Sequence, residues 1–238
     1  MKVAIHQPNY IPWAGFFCKM CLVDVFISFD SVEFPNNSIV HRNKIRTKEG
    51  WDWLTIPIEK KNIGLPIKEV LLPEDGSWWK KHWNALIANY SKAEYFSEYK
   101  PFFEELYRDR KQKSIRELNE CIILYLAESF RISPRFVRAS ELDLDFSLRK
   151  TDFILDILRN VGCTHYISGA GGAKSFLEED KIKNNSIELW YTKVNPVEYR
   201  QRWPGFEPYM SSLDLLFNRG GEQGREIINH MHSEYKAD

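Results

Sequence analysis

The sequence predicts an α/β protein: a three-layer arrangement with a parallel or mixed sheet, interrupted by a helical insertion. Three observations carry this expectation. A strand–helix–strand pattern fills residues 2–29, the apolar period lengthens to three or four residues between Trp78 and Arg131, and strand and helix patterns alternate again from Phe136 onward. That order is the one expected of a Rossmann-like sheet covered on both faces.

The elements follow in turn. Lys2 to Ile5 alternates and shortens into His6 as a strand does, and Val25-Phe26-Ile27-Ser28-Phe29 is a second β-branched and aromatic run. Between them Gly15 to Leu22 is apolar on most sides, long enough for about two helical turns, and follows Pro12. A parallel pair joined by a helix is the economical arrangement, with ligands expected beyond the carboxyl ends of the strands, where His6 and Asp30 stand. From Phe34 to Pro73, runs such as Trp53 to Ile58 and Ile67 to Leu72 are punctuated by Asn36-Asn37, Gly50, Gly64 and prolines, which suits strands and ordered loops. The helical region spans about 78–131, with Trp79, Trp83, Leu86, Ile87 and Tyr90 at helical spacing. Phe136 to Ser140 reads as a strand, and Thr151-Asp152-Phe153 opens a helix over Ile154 to Asn160 that Gly162 ends at a left-handed cap. His165 to Ser168 is a further strand, followed by Gly169-Ala170-Gly171-Gly172-Ala173-Lys174. Ile187 to Tyr191 alternates as a strand, Ser212 to Phe217 suggests a closing helix, and a polar terminal helix is expected from about Glu222 to Tyr235.

Composition narrows the function. The 238 residues are 43% hydrophobic and 28% charged, without repeats, linkers or low-complexity segments, so residues 1–238 are expected to form a single domain. Lys plus Arg and Asp plus Glu each number 33, a formal net charge of +0, which argues against a nucleic-acid binder while leaving room for a local tRNA contact. No apolar run reaches the length of roughly 18 residues that a membrane span needs, and the start lacks the apolar core of a secretory signal. With four dispersed cysteines, a cytoplasmic protein with free thiols is expected. Cys18 and Cys21 have metal-ligand spacing but no second pair, so they read as core and no metal is expected.

Three segments hold the candidate chemistry. His6-Gln7-Pro8-Asn9-Tyr10-Ile11-Pro12-Trp13 gathers polar side chains just after a strand; the prolines and aromatics also suit a tight connection. His41-Arg42-Asn43-Lys44 offers an imidazole, a bidentate anion fork and an amide, or simply a solvated loop. Ser168 to Ser175, with Gly169, Gly171, Gly172 and Lys174, suits either backbone approach to an anion or a glycine turn; it matches neither a P-loop nor G-x-G-x-x-G. Trp78-Trp79-Lys80-Lys81-His82-Trp83 interleaves bases and aromatics, yet its helical spacing favours packing. No G-x-S-x-G elbow is present.

Together several blocks resemble the WbqC-like family of bacterial proteins: Ile5 to Phe17, Asp24-Val25-Phe26, His41-Arg42-Asn43, Trp79 to His82, Tyr166-Ile167-Ser168-Gly169, and Pro208 to Asn218. The match runs almost end to end and brings Asp214 and Asn218 into the candidate set. Members occur in gene clusters for O-antigen, capsule and related polysaccharides. The resemblance implies transfer of an acyl or aminoacyl group, such as glycyl, to a nucleotide-linked amino sugar. The opening segment is also similar to the nucleotidylyltransferase-like fold, but Trp13-Ala14-Gly15-Phe16 stands where that fold has its two histidines.

Amide formation needs a base, oxyanion donors and anion contacts. The expected catalytic residues are His6 as base, His41 as its alternative, and Asn9 or Asn43 as donor, with Arg42 and Lys174 holding phosphate. Gln7, Tyr10, Trp13, Asp30, Ser168, Gly169, Gly171, Gly172 and Asp214 complete the expected substrate contacts. The second substrate is expected to be ATP or an already activated acyl or aminoacyl donor. The competing expectations are a non-catalytic sugar-nucleotide-binding or scaffold protein and an aminoacyl-tRNA-dependent transferase.

Overall fold

Both faces of the first strand are buried, and this sets the architecture. In β1 (Lys2–His6), Val3 and Ile5 enter one core while Ala4 enters another on the opposite face. The fold is that of a computed structural model describing residues 1–237; Asp238 and the surroundings of Gly172 and Ala173 lie outside the described part. Helix α1 (Ala14–Cys21) carries the chain over to β2 (Val25–Ser28), parallel to β1 with His6 opposite Ser28. An antiparallel hairpin, β3 (Arg42–Thr47) and β4 (Gly50–Thr55), stands apart from the main sheet.

Three helices follow: α2 (Ser77–Tyr90), α3 (Phe96–Asp109) and α4 (Ile115–Ser129). They form the expected helical insertion. The third starts at a complete capping box: Ser114 Oγ accepts from Glu117 N–H while the Glu117 carboxylate accepts from Ser114 N–H. Such a cap is worth about 1 kcal/mol. The chain then returns to the sheet as β5 (Arg135–Arg138), parallel to β2, and continues through α5 (Lys150–Asn160), β6 (His165–Gly169), α6 (Glu179–Asn184) and β7 (Glu188–Val194). Helix α7 (Ser212–His230) bends at Gly220, whose φ of 70° only glycine holds cheaply, and β8 (His232–Lys236) closes the edge antiparallel to β7.

Strand order is β5-β2-β1-β6-β7-β8. The chain winds outward from β1 to β5, then returns to the other side of β1 with β6, so the order reverses between β1 and β6. This is the doubly wound, Rossmann-like pattern with an antiparallel last strand. Helices α1, α4 and α7 pack on one face around Phe16, Phe17, Phe130 and Phe217; α5 and α6 cover the other around Ile157, Leu158 and Ile182.

Two expectations change. The polar terminal helix stops at His230, and residues 232–236 form an edge strand. Four of its five residues face solvent, which left no apolar alternation to read. Of the two readings of His41–Lys44, the solvated loop is replaced: Arg42 opens β3, a strand whose polarity comes from having one wet face, and His41 and Asn43 are buried.

Candidate functional site

A cavity of about 600 Å3 opens where the strand order reverses, at the carboxyl ends of β1, β6 and β7. This is where an open α/β sheet places its ligand. Its wall combines His6 at the end of β1 and Gln7 after it, Trp13, Gly15, Phe16 and Lys19 from the start and body of α1, Ser168 and Gly169 at the end of β6 with Ala170 and Gly171 after it, and Thr192 with Lys193 from β7. Of the residues singled out from sequence, the cavity thus gathers His6, Gln7, Trp13, Ser168, Gly169 and Gly171.

His6 is fixed by its surroundings. Its Nδ1 donates to the Gln7 carbonyl at 2.9 Å, which leaves Nε2 as the acceptor, and its ring meets Phe16 edge-on with centroids 4.8 Å apart. Burial first, and the neighbouring Lys19 amine second, lower its pKa to about 3, so the ring is neutral across physiological pH. Lys19 itself is only 8% exposed, and its amine forms no hydrogen bond or ion pair with any described residue. Burial holds its amine down to about 7. Thr192 Oγ1, also in the wall, has no hydrogen-bond partner among the described residues.

Gly15 makes the cavity rim possible. A Cβ there would lie 2.3 Å from the Trp13 indole, which rests on the helix at that point and packs on Tyr209 with centroids 5.5 Å apart. Gly169 and Gly171 also line the cavity, and a Cβ at either would meet nothing within 4 Å. A second chamber of about 750 Å3 adjoins it, sharing Phe29, Ile154 and Phe176, with Lys68, Arg149 and Lys150 among its lining.

The remaining candidates sit elsewhere. Asn43 commits its amide to the Tyr10 and Ile11 carbonyls at 3.3 and 2.9 Å, and its oxygen accepts from Lys44 N–H, so it clamps the loop after β1, where Ile11 holds a φ of 35°. The Tyr10 hydroxyl is buried against His82 Nδ1 and the Tyr107 hydroxyl. Asn9 is buried beside this network with both amide atoms unpaired among the described residues. His41 is buried against Phe34, with a pKa lowered to about 4 by burial and by Arg42. Arg42 donates to the Asn37 carbonyl and stacks on Trp53. Asp30, fully buried, accepts from Ser140 N–H and Oγ and lies 3.7 Å from Arg116. Lys174 reaches over the rings of Tyr191 and Tyr235. Asp214 accepts from the Tyr199 hydroxyl, the Gln201 amide and the Asn218 amide, and burial raises its pKa to about 6. The surroundings of Gly172 lie outside the described residues.

Lys19 and Thr192 were missed. Lys19 carried a legible signal, as the one charged residue in Ala14–Cys21, but the stretch was read by its apolar majority. Thr192 lay just past the expected end of its strand.

A profile of the WbqC-like protein family matches residues 7–226. An uncharacterized protein of Mycobacterium tuberculosis (strain ATCC 25618 / H37Rv) is 35% identical over 224 residues, covering 93% of this chain and 95% of that protein. No solved structure is a significant match. Among the described residues no helix is long and apolar enough to cross a membrane, and no cluster of three or more His, Cys, Asp or Glu side chains is placed to hold a metal. The profile spans the cavity-forming loops of β1, β6 and β7 as well as the helical insertion, and the chain belongs to the WbqC-like protein family.

Proposed function

We propose that the protein is a transferase that forms an amide on a nucleotide-linked amino sugar, adding an acyl or aminoacyl group in the biosynthesis of a surface polysaccharide such as O-antigen. The observation that carries this reading is the neutral His6 ring at the strand-order reversal, with Nδ1 committed to Gln7 and Nε2 free to accept a proton. Burial makes His6 a weak base, but it also keeps the lone pair available at every pH near neutrality. A weak base suffices if the proton leaves after attack, because the nitrogen of a tetrahedral adduct is far more acidic than a free ammonium. Thr192 Oγ1, unpaired in the wall, is suited to donate to the developing oxyanion. The adjoining chamber offers the second substrate its own space, whether that is ATP or an activated donor.

The same weakness of His6 as a base favours one second reading, a non-catalytic protein that binds a sugar nucleotide in the same cavity. Incubation with UDP- and dTDP-linked amino sugars, candidate acyl and aminoacyl donors and ATP, followed by mass spectrometry, separates the two. The transferase reading expects an acyl mass gain on the sugar nucleotide that His6→Ala abolishes. Saturable binding with no mass gain under any donor supports the binding protein.

A further inference from the structure

We propose that Lys19 is the anion receptor of the cavity: its amine takes the phosphate groups of the bound nucleotide-linked sugar. The inference deepens the proposed function and rests on it for the identity of the ligand, though not for the anion itself. Four observations carry it. Lys19 is more than nine-tenths buried, lines the cavity, and has no acceptor among the described residues. A buried amine without a partner is costly, so a missing anion is the economical explanation for its retention. Lys19 and Gly15 are four residues apart on one helix face, and helical side chains lean toward the N-terminus, which brings the amine toward the first turn. The N–H of Phe16 already donates to the Trp13 carbonyl at 3.0 Å, which leaves the N–H groups of Ala14 and Gly15 without an intrahelical acceptor at the positive end of the helix dipole. Finally, no Asp or Glu is among the described residues lining the cavity.

The charged and titratable groups that line the cavity with Lys19 come from three strands. His6 of β1 is neutral, Tyr166 of β6 keeps its proton to about 12, and Lys193 of β7 adds positive charge at the rim. An arriving anion therefore finds positive or neutral neighbours only, and it favours the protonated amine. Since burial alone holds Lys19 near 7, a cavity without an anion keeps the amine about half neutral at pH 7, and an anion draws a proton onto it.

The test is an NMR titration of protein labelled with 13Cε-lysine, with the Lys19 signal assigned through Lys19→Arg. The probes are sulfate, which does not titrate in this range, and UDP-glucosamine. The expected result is a midpoint near pH 7 that rises by roughly one unit or more with either probe. Lys19→Met, with an unchanged circular dichroism spectrum, is expected to weaken UDP-glucosamine binding about ten- to hundredfold, the loss of one charge-assisted hydrogen bond. A midpoint that no anion moves, while UDP-glucosamine binds wild type and Lys19→Met equally, overturns the proposal and leaves the nucleotide-sugar reading intact. A shift with sulfate but with no UDP- or dTDP-linked sugar supports the anion receptor and overturns the nucleotide-sugar reading.

Discussion

Acidification is expected to unfold this protein through its buried imidazoles. His6, His41 and His82 are held neutral, with pKa values lowered from 6.5 to about 3, 4 and 4, chiefly by burial. His82 is locked further: Nδ1 accepts from the Tyr10 hydroxyl at 2.8 Å, while Nε2 donates to the Thr55 carbonyl. Between pH 6.5 and 4 the unfolded chain binds protons at these three sites and the folded chain does not, so stability falls as pH falls. Asp214 acts in the opposite sense, since its pKa is raised from 3.8 to about 6 and the folded chain holds a proton there that the unfolded chain has lost. Three protons less one leaves about two, and each is worth about 1.4 kcal/mol per pH unit. The expected loss is therefore about 2 to 3 kcal/mol per unit below pH 6, a large part of an ordinary domain's stability within two units. Urea denaturation followed by tryptophan fluorescence at pH 7, 6 and 5 measures it. His6→Leu, which gives up the hydrogen bond from Nδ1 to the Gln7 carbonyl but keeps an apolar side chain against the Phe16 ring, is expected to remove one proton and roughly halve the slope. A stability that stays flat from pH 7 to 5, or a slope unchanged in His6→Leu, would mean that the buried imidazoles do not set the acid limit.

Other expectations concern the loop and the rim. Asn43→Ala leaves two buried carbonyls unpaired at Tyr10 and Ile11 and is expected to cost about 1 to 3 kcal/mol in chemical denaturation. Gly15→Val pushes the Trp13 indole off the helix at a cost of about 1 to 3 kcal/mol, and is expected to weaken any cavity ligand more than it lowers Tm, as read by calorimetric titration beside a melt. Asp214→Leu strands the Tyr199 hydroxyl and the Gln201 and Asn218 amides in a buried site. A loss of about 3 kcal/mol or more is expected, with cavity binding unchanged in the fraction that remains folded.

The fold was legible where burial imposes a period. The first two strands alternate between two cores, and the insertion keeps helical spacing from Trp79 to Tyr90, so both stood out in the residues. The last strand did not, because an edge strand of mostly exposed residues carries no apolar alternation. In the candidate site, His6, Gln7, Trp13, Ser168 and Gly169 were marked by lying at strand ends, and topology brings those ends together. Sequence does not say which way a polar residue near a strand end turns. Asn43 and Asp30 look like binding residues in one dimension, yet in three their side chains bond to backbone and to Ser140. Lys19 was hidden by the opposite effect, a charged residue set within an apolar helix.

On the proposed function, the cavity between the carboxyl ends of β1, β6 and β7 holds a nucleotide-linked sugar. A thermal-shift comparison of the wild type with Gly169→Trp tests this, since Gly169 lines the cavity and a Cβ there meets nothing within 4 Å. At about a hundred times its Kd, a UDP- or dTDP-linked amino sugar is expected to stabilise the wild type by about 2.7 kcal/mol, or roughly 5 to 10 °C in Tm for a chain of this size. In Gly169→Trp the melt without ligand should be little changed and the ligand shift absent. A shift of equal size in both proteins, or none with any nucleotide-linked sugar, would contradict the account.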